Sequence, residues 1–212
     1  FDITYASVGR YYDYREGKAP DENSIRAAVH AIDYRHVELE PNRVRFKHPM
    51  VSIDFGGIAK GYAVDRGIEI LLARGVVQGS VSAGGDSRIL GDRAGKPWTV
   101  GVQHPRDSNK MAVLLPLVDT AVSTSGDYER YFEQDGVRYH HILDPSTGRS
   151  AAGAWSVTVL GEQAIITDGL ATSVFVLGPE KGMALINRLS TVDAIIIDPN
   201  GRMTYSDDLS GL

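Results

Sequence analysis

No cysteine occurs in these 212 residues. That excludes disulfides, thiolate metal ligands and a cysteine nucleophile, while leaving the redox compartment open. No apolar run reaches the roughly eighteen residues of a membrane-spanning helix, so none is expected. Positive charge is in short supply too: 22 Lys and Arg stand against 27 Asp and Glu, for a formal net charge of -5. With no basic cluster to override that balance, a nucleic-acid partner is not expected. Neither an initiating methionine nor a signal peptide precedes Phe1, which falls within what reads as an extended segment, so the chain reads as a fragment or processed form.

What is present is ordinary globular material, 42% hydrophobic and 23% charged, enough for one sizeable core and read here as one domain over 1–212. The stretch Val51 to Asp65 is its organising centre. Val51, Ile53 and Phe55 alternate with Ser52 and Asp54, the period of a half-buried strand, before Gly56-Gly57 interrupts. From Ile58 the apolar positions Tyr62, Val64, Ile68, Leu71 and Leu72 follow helical spacing, and Gly75 reads as a stop. Gly56-Gly57 therefore opens a helix, where free N–H groups and the dipole favour a phosphate and absent Cβ atoms allow close approach. The same turn can equally be a tight connection. It is neither a P-loop, since no Gly-Lys-Ser/Thr follows, nor a G-x-G-x-x-G fingerprint. Asp54 and Lys60 frame it with opposite charges.

Elsewhere, Phe1 to Gly9 reads as a strand or extended segment. Ile25, Ala28, Val29 and Ile32 define an amphipathic helix capped by Asp21 or Asn23, and Val37 to Phe46 a hairpin turning at Glu40–Arg43. A second glycine pair, Gly84-Gly85, follows a short strand and precedes Asp86, reading as a bulge or as a second turn facing the same ligand. Trp98 to Gln103 and Val113 to Val118 read as strands joined by a polar loop from His104 to Lys110. Ala121 to Asp127 reads as a strand ending in a turn, where Ser123, Thr124 and Ser125 form either a phosphate cradle or a plain loop. Asp135-Gly136 predicts a tight hairpin returning through Val137–Leu143 to a turn at Asp144–Gly148. His140 and His141, adjacent on a strand, point to opposite faces and make poor co-ligands, so no histidine metal site is expected.

Ile165 to Gly178 reads as a buried helix with a glycine stop, and Pro179 opens another. Asp168 and Thr172, four apart, share a face on which a carboxylate and a hydroxyl can bind a hard cation such as Mg2+, or simply hydrogen-bond each other. Ala194–Asp198, the Pro199-Asn200-Gly201 turn and Met203–Tyr205 form a last hairpin, and Ser206–Leu212 read as a frayed tail.

Four separated stretches, Asp54–Asp65, Ala83–Asp86, the Ser123 turn with His141–Gly148, and Asp168–Thr172, resemble in order the ApbE-type flavin transferases, the FAD:protein FMN transferases. The resemblance implies an α+β domain with mixed or antiparallel sheets and packed helices, lacking its N-terminal portion. It implies Mg2+-dependent transfer of FMN from FAD to a threonine or serine of an acceptor protein, such as a redox-complex subunit, with release of AMP, in the periplasm or cell envelope. The rival readings are an FAD pyrophosphatase using water as acceptor and a non-catalytic FAD-binding protein.

By the same resemblance Phe1 and Asp2 belong to a segment that contacts FAD, and Asp54 and Lys60 position the dinucleotide. Gly84, Gly85, Ser125 and Ile142 complete the FAD site. Asp168, Thr172 and backbone carbonyls near Gly57 and Ala171 hold the metal. His141 is the base for the incoming hydroxyl, because an imidazole near its usual pKa of roughly 6.5 suits that task, and Asp144 orients it.

Overall fold

The computed structural model describes residues 1–210, without the Ser210 side chain. The chain packs as two compact units, one made of 1–55 with 129–151, the other of 56–128 with 152–212.

The first unit is built from short pieces. The opening segment is helical rather than extended, a 3-10 turn at Ile3–Tyr5 followed by α1 (Ala6–Gly9). The reason is local: Asp2 Oδ1 accepts from the amide and the hydroxyl of Thr4 at 2.8 and 2.6 Å, capping the turn. Helix α2 (Glu22–Ala28) is capped by Asp21, which accepts from Asn23 and Ser24. The hairpin β1 (Val37–Glu40) and β2 (Arg43–Phe46) forms as expected, turning through Asn42 at φ 65.

Val51–Phe55 corrects the expectation of a strand, for it lies outside any ladder. Its backbone is answered by the opening segment instead: Ser52 N donates to Ser7 Oγ at 3.1 Å and Asp54 N to the Ile3 carbonyl at 2.9 Å. Two hairpins complete the unit. In one, β8 (Tyr131–Gln134) and β9 (Val137–His140) turn through Asp135-Gly136 at φ 51 and 75, the left-handed pair this dipeptide favours. In the other, β10 (Leu143–Asp144) pairs with β11 (Arg149–Ser150). Val8, Tyr12, Ile25, Ala28 and Leu143 form the core.

The second unit is a six-stranded antiparallel sheet carrying two helices. Its order is β14 (Met203–Tyr205), β13 (Val192–Ile197), β12 (Ser156–Gly161), β7 (Ala121–Gly126), β4 (Asp86–Leu90) and β3 (Gly79–Ala83). The hydroxyl residues Ser123 to Ser125, expected in a turn, lie inside β7, because β12 pairs with the strand through to Ser156↔Gly126. Helix α3 (Ala59–Ala73) ends at Gly75, whose φ of 78 lets Val76 N reach back to the Leu71 carbonyl. Helix α4 (Ala164–Ile186) runs through both helices expected from the sequence, with a break at Gly178, φ 77, ahead of Pro179. It is not buried on all sides, since Ile166 and Leu177 face outward.

A separate hairpin is formed by β5 (Trp98–His104) with β6 (Asp107–Leu117); most of the expected loop thus falls within strand bounds, but its register shifts at Gln103 and His104, so that 108–110 bulge out between Asp107, opposite His104, and Met111, opposite Gln103. Arg106 meets the Asp127 carboxylate with two hydrogen bonds, 2.7 and 2.6 Å, and stacks 4.1 Å over the Trp155 ring, fastening this hairpin to the end of β7. The tail forms a short helix α5 (Asp207–Ser210) rather than fraying there, and 211–212 lie outside the described residues.

Candidate functional site

In the second unit, close packing of α3 on α4 fixes the geometry. A Cβ on Gly61 would lie 2.2 Å from the Ala164 carbonyl oxygen, so only glycine lets the two helices approach this closely. The approach brings Asp65 under the start of α4, where its two oxygens accept from Ala164 N and Ile165 N at 3.0 and 2.9 Å and Arg88 balances the charge at 2.7 Å. A side chain from another helix thus does the work of an N-cap.

One turn further along α4, Asp168 is 2% exposed on its side chain, and its Oδ2 accepts from Gly61 N at 3.0 Å. Its Oδ1 lies 3.5 Å from the Lys60 ammonium, which also pairs with Oδ2 of Asp86, a side chain only 1% exposed. Burial opposes the Lys60 charge, but the Asp86 hydrogen bond and the two carboxylates outweigh it and hold the ammonium above its ordinary pKa. Asp86 is buried beside Ser123, and burial, with the Asp168 charge, pushes its carboxyl above the ordinary range against the opposing pull of Lys60 and the Ser123 hydroxyl. Two buried carboxylates facing one ammonium leave unsatisfied negative charge, the condition in which a cation is favoured.

Oxygen donors for such a cation are at hand. Thr172 Oγ1 lies 3.2 Å from Ser125 Oγ, and Ala171 is wholly buried three residues beyond Asp168. The Gly57 carbonyl oxygen is 4.0 Å from where a Cβ on Gly169 would stand, which places it beside the Asp168 turn of α4. Among the described residues no three His, Cys, Asp or Glu side chains gather. A cation here would therefore need hydroxyl and carbonyl oxygens as well, and the donors Asp168, Thr172 and Gly57 fit a hard ion such as Mg2+. The Gly84-Gly85 turn, at φ 52 and 93, lies in the same place: a Cβ on Gly84 would be 3.4 Å from Lys60 Cδ. The two glycine motifs thus converge on Lys60.

The first unit holds a cavity of about 320 Å³ lined by Tyr5, Tyr12, Tyr14, Arg10, Arg130, Asp54 and His141 among others. Aromatic faces with a few convergent charges suit a planar, partly charged ligand. Burial raises the Tyr5 hydroxyl well above its ordinary pKa, and the charge and hydrogen bond of Asp54 add to the rise. Tyr14 is raised likewise, by burial first. His140 and His141 do point apart. His140 is 4% exposed, with Nε2 2.8 Å from the Ala151 carbonyl, while His141 lines the cavity.

The Nδ1 of His141 lies 3.3 Å from the Arg130 carbonyl. A carbonyl only accepts, so a neutral ring bonded there carries its proton on Nδ1 and is basic at Nε2. Asp144 Oδ1 accepts the amide and the hydroxyl of Ser146 at 2.8 and 2.7 Å, so this oxygen braces its own turn. Ile142 is buried and its carbonyl accepts from Ala151 N. Asp2, besides capping, accepts from Tyr34 N at 2.9 Å. Phe1 is partly buried in the same unit.

The ApbE family profile matches residues 1–196. The chain belongs to the ApbE family. Among its curated relatives are two named FAD:protein FMN transferase. That of Treponema pallidum is 36% identical over 205 residues, covering 88% of this chain and 57% of the relative. That of Vibrio cholerae is 37% identical over 193 residues, covering 87% and 57%. A crystal structure of the ApbE protein of Thermotoga maritima superposes with a TM-score of 0.90 at 39% identity, over 99% of this chain and 71% of that one. The apo flavinyl transferase ApbE of Pseudomonas stutzeri gives 0.84 at 33%, over 100% and 68%. The α+β, antiparallel architecture is thus the fold of ApbE proteins, and this chain spans a little over half the length of those two curated relatives.

Sequence reasoning quoted Asp65 and Asp86 within their motifs without assigning either a task, and passed over Arg88, Arg130 and Tyr5. For Asp86 and Arg88 a signal was present: two apart on β4, they share the face that meets α3, where Asp86 pairs with Lys60 and Arg88 with Asp65.

Proposed function

We propose that this ApbE chain carries Mg2+-dependent transfer of FMN from FAD to a threonine or serine of an acceptor protein, with release of AMP. The observation that carries the reading is the buried pair Asp86 and Asp168 with the single ammonium of Lys60, beside hydroxyl and carbonyl oxygens suited to a hard cation. The relatives' names support the transfer of FMN from FAD to a protein. When bound, Mg2+ would neutralise charge developing on the flavin diphosphate, usually the largest catalytic contribution in such reactions.

The protein's own groups do the rest. Asp168, Thr172 and the Gly57 carbonyl hold the cation. Lys60 and the glycine turn at Gly84-Gly85 orient the diphosphate. The Nε2 of His141 accepts the proton of the acceptor hydroxyl as its oxygen attacks the phosphorus on the FMN side; the new O–P bond replaces the pyrophosphate bond, and AMP leaves with the electron pair. The acceptor is proposed to be a redox-complex subunit in the periplasm or cell envelope, by family resemblance.

The experiment is mass spectrometry of a threonine-bearing acceptor peptide incubated with FAD, Mg2+ and the protein. Addition of one FMN, with AMP in solution, supports the transferase. FMN and AMP formed equally without the peptide would identify a pyrophosphatase. FAD retained intact would identify a binding protein.

A further inference from the structure

We propose that Lys60 is an exchangeable stand-in for the divalent cation: its ammonium balances Asp168 until a cation takes that carboxylate, and it then rests on Asp86 alone. This depends on the cation reading given above. The contact is lopsided, because the ammonium makes a short hydrogen bond to Asp86 Oδ2 but reaches Asp168 Oδ1 only at 3.5 Å, the outer limit of a hydrogen bond. Asp168 cannot turn to improve it, since Oδ2 is held by Gly61 N at 3.0 Å. The oxygen left for a cation is thus the one Lys60 holds loosely, and two cations cannot share it closely without strong repulsion.

The exchange requires little rearrangement. Gly61, whose amide fixes Asp168, belongs to helix α3 and need not move when the neighbouring side chain does. The Lys60 side chain is 40% exposed and its flexible stem passes Gly84, where the absence of a Cβ leaves clearance. Asp86 remains as a second, stronger resting place. The arrangement also explains how two buried carboxylates are tolerated before a cation arrives.

The test is calorimetric titration of the purified chain with Mg2+ alone, without flavin. Exchange predicts that Lys60→Met binds Mg2+ about tenfold or more tightly than the parent, having no ammonium to displace. Removing a positive charge would favour any cation nearby, so the deciding variant is Lys60→Met with Asp86→Asn, which keeps the cluster's net charge and removes only the competitor. Under exchange it also binds more tightly than the parent. It carries the test as well if the single lysine variant does not fold.

Asp86→Asn alone should weaken Mg2+ binding, by leaving Lys60 wholly to Asp168 as well as by removing a nearby negative charge, and should weaken it clearly less in the Lys60→Met background, where only the charge effect is left. Equal weakening in both backgrounds would mean that Asp86 acts on the cation by its charge or as a ligand and not through Lys60, and would overturn the proposal, as would unchanged or weaker affinity in the double variant. Asp168→Asn separates the two levels. Loss of binding there with unchanged affinity in the lysine variants overturns the exchange alone, whereas binding at the parent's affinity overturns the cation reading itself.

Discussion

The two units of this chain use opposite means to make a place for a ligand. The second holds its charged groups inside closely packed secondary structure: Asp65, Asp86 and Asp168 are nearly inaccessible, each fixed by a backbone amide or a basic side chain, and the glycine at 61 lets two helices touch. The first surrounds a cavity with tyrosines and arginines on short elements joined by turns. Fixed buried charge suits a small hard ion, whose binding depends on oxygen placement, while aromatic walls with a few arginines suit a broad planar ligand. The difference shows that precision here is obtained from helix and sheet packing, and breadth from side-chain faces.

The largest expected effect tests the buried side. Asp168→Asn keeps a group able to accept from Gly61 N but removes the charge, and Mg2+-dependent FMN formation should fall by about 10³-fold or more at Mg2+ well below saturation. Chromatography of FMN and AMP would reveal it, and full activity in this variant would remove the cation from the second unit. His141→Ala probes the cavity in the first. Transfer should slow by about 10²- to 10⁴-fold with FAD affinity little changed, whereas His140→Ala should leave the rate near the parent's and lower stability by about 1–3 kcal/mol, through the lost partner of the Ala151 carbonyl. A His141 variant whose only defect is lost FAD binding would make that histidine a ligand contact rather than a base.

Stability separates the two units further. Gly61→Ala forces a methyl onto the Ala164 carbonyl and should cost about 3 kcal/mol, lowering Tm by roughly 10 °C. Gly136→Ala, in the β8–β9 turn of the first unit, meets no atom within 4 Å and strains only its φ of 75, so about 1 kcal/mol is expected. Equal losses, read by thermal or urea unfolding, would erase the contrast in packing. The smallest effect is at Gly169. Alanine there gains helix propensity, and its Cβ stands 3.3 Å from Ile58 Cγ2, so a change within about 1 kcal/mol is expected, stabilising where Ile58 yields.

Much of the fold was legible because the signals are short-range. Asp21 capped its helix, Asn42, Asp135-Gly136 and Gly201 made their turns, and Gly75 and Gly178 interrupted helices, since each depends on the φ or hydrogen-bonding habits of a few adjacent residues. Where local habit competed with long-range pairing, the pattern misled. Val51–Phe55 alternates like a strand but finds its partners in a helical segment, Ser123–Ser125 look like a turn but are held in a ladder by β12, and β6 extends back through a bulge at 108–110 to Asp107 because His104 of β5 lies opposite it.

By itself the sequence determined the family, through four ordered motifs, and the shared helical face of Asp168 and Thr172, which follows from a spacing of four. Only the tertiary structure decided which charges meet. Lys60 is 26 residues from Asp86 and 108 from Asp168, and Asp65 is 99 from the helix start it caps. No local propensity encodes such distances. They are set when Gly61 lets α3 lie against α4 and the β4–β7 pairing carries Asp86 beside Ser123, for a buried charge finds its partner through packing rather than through its neighbours in the chain.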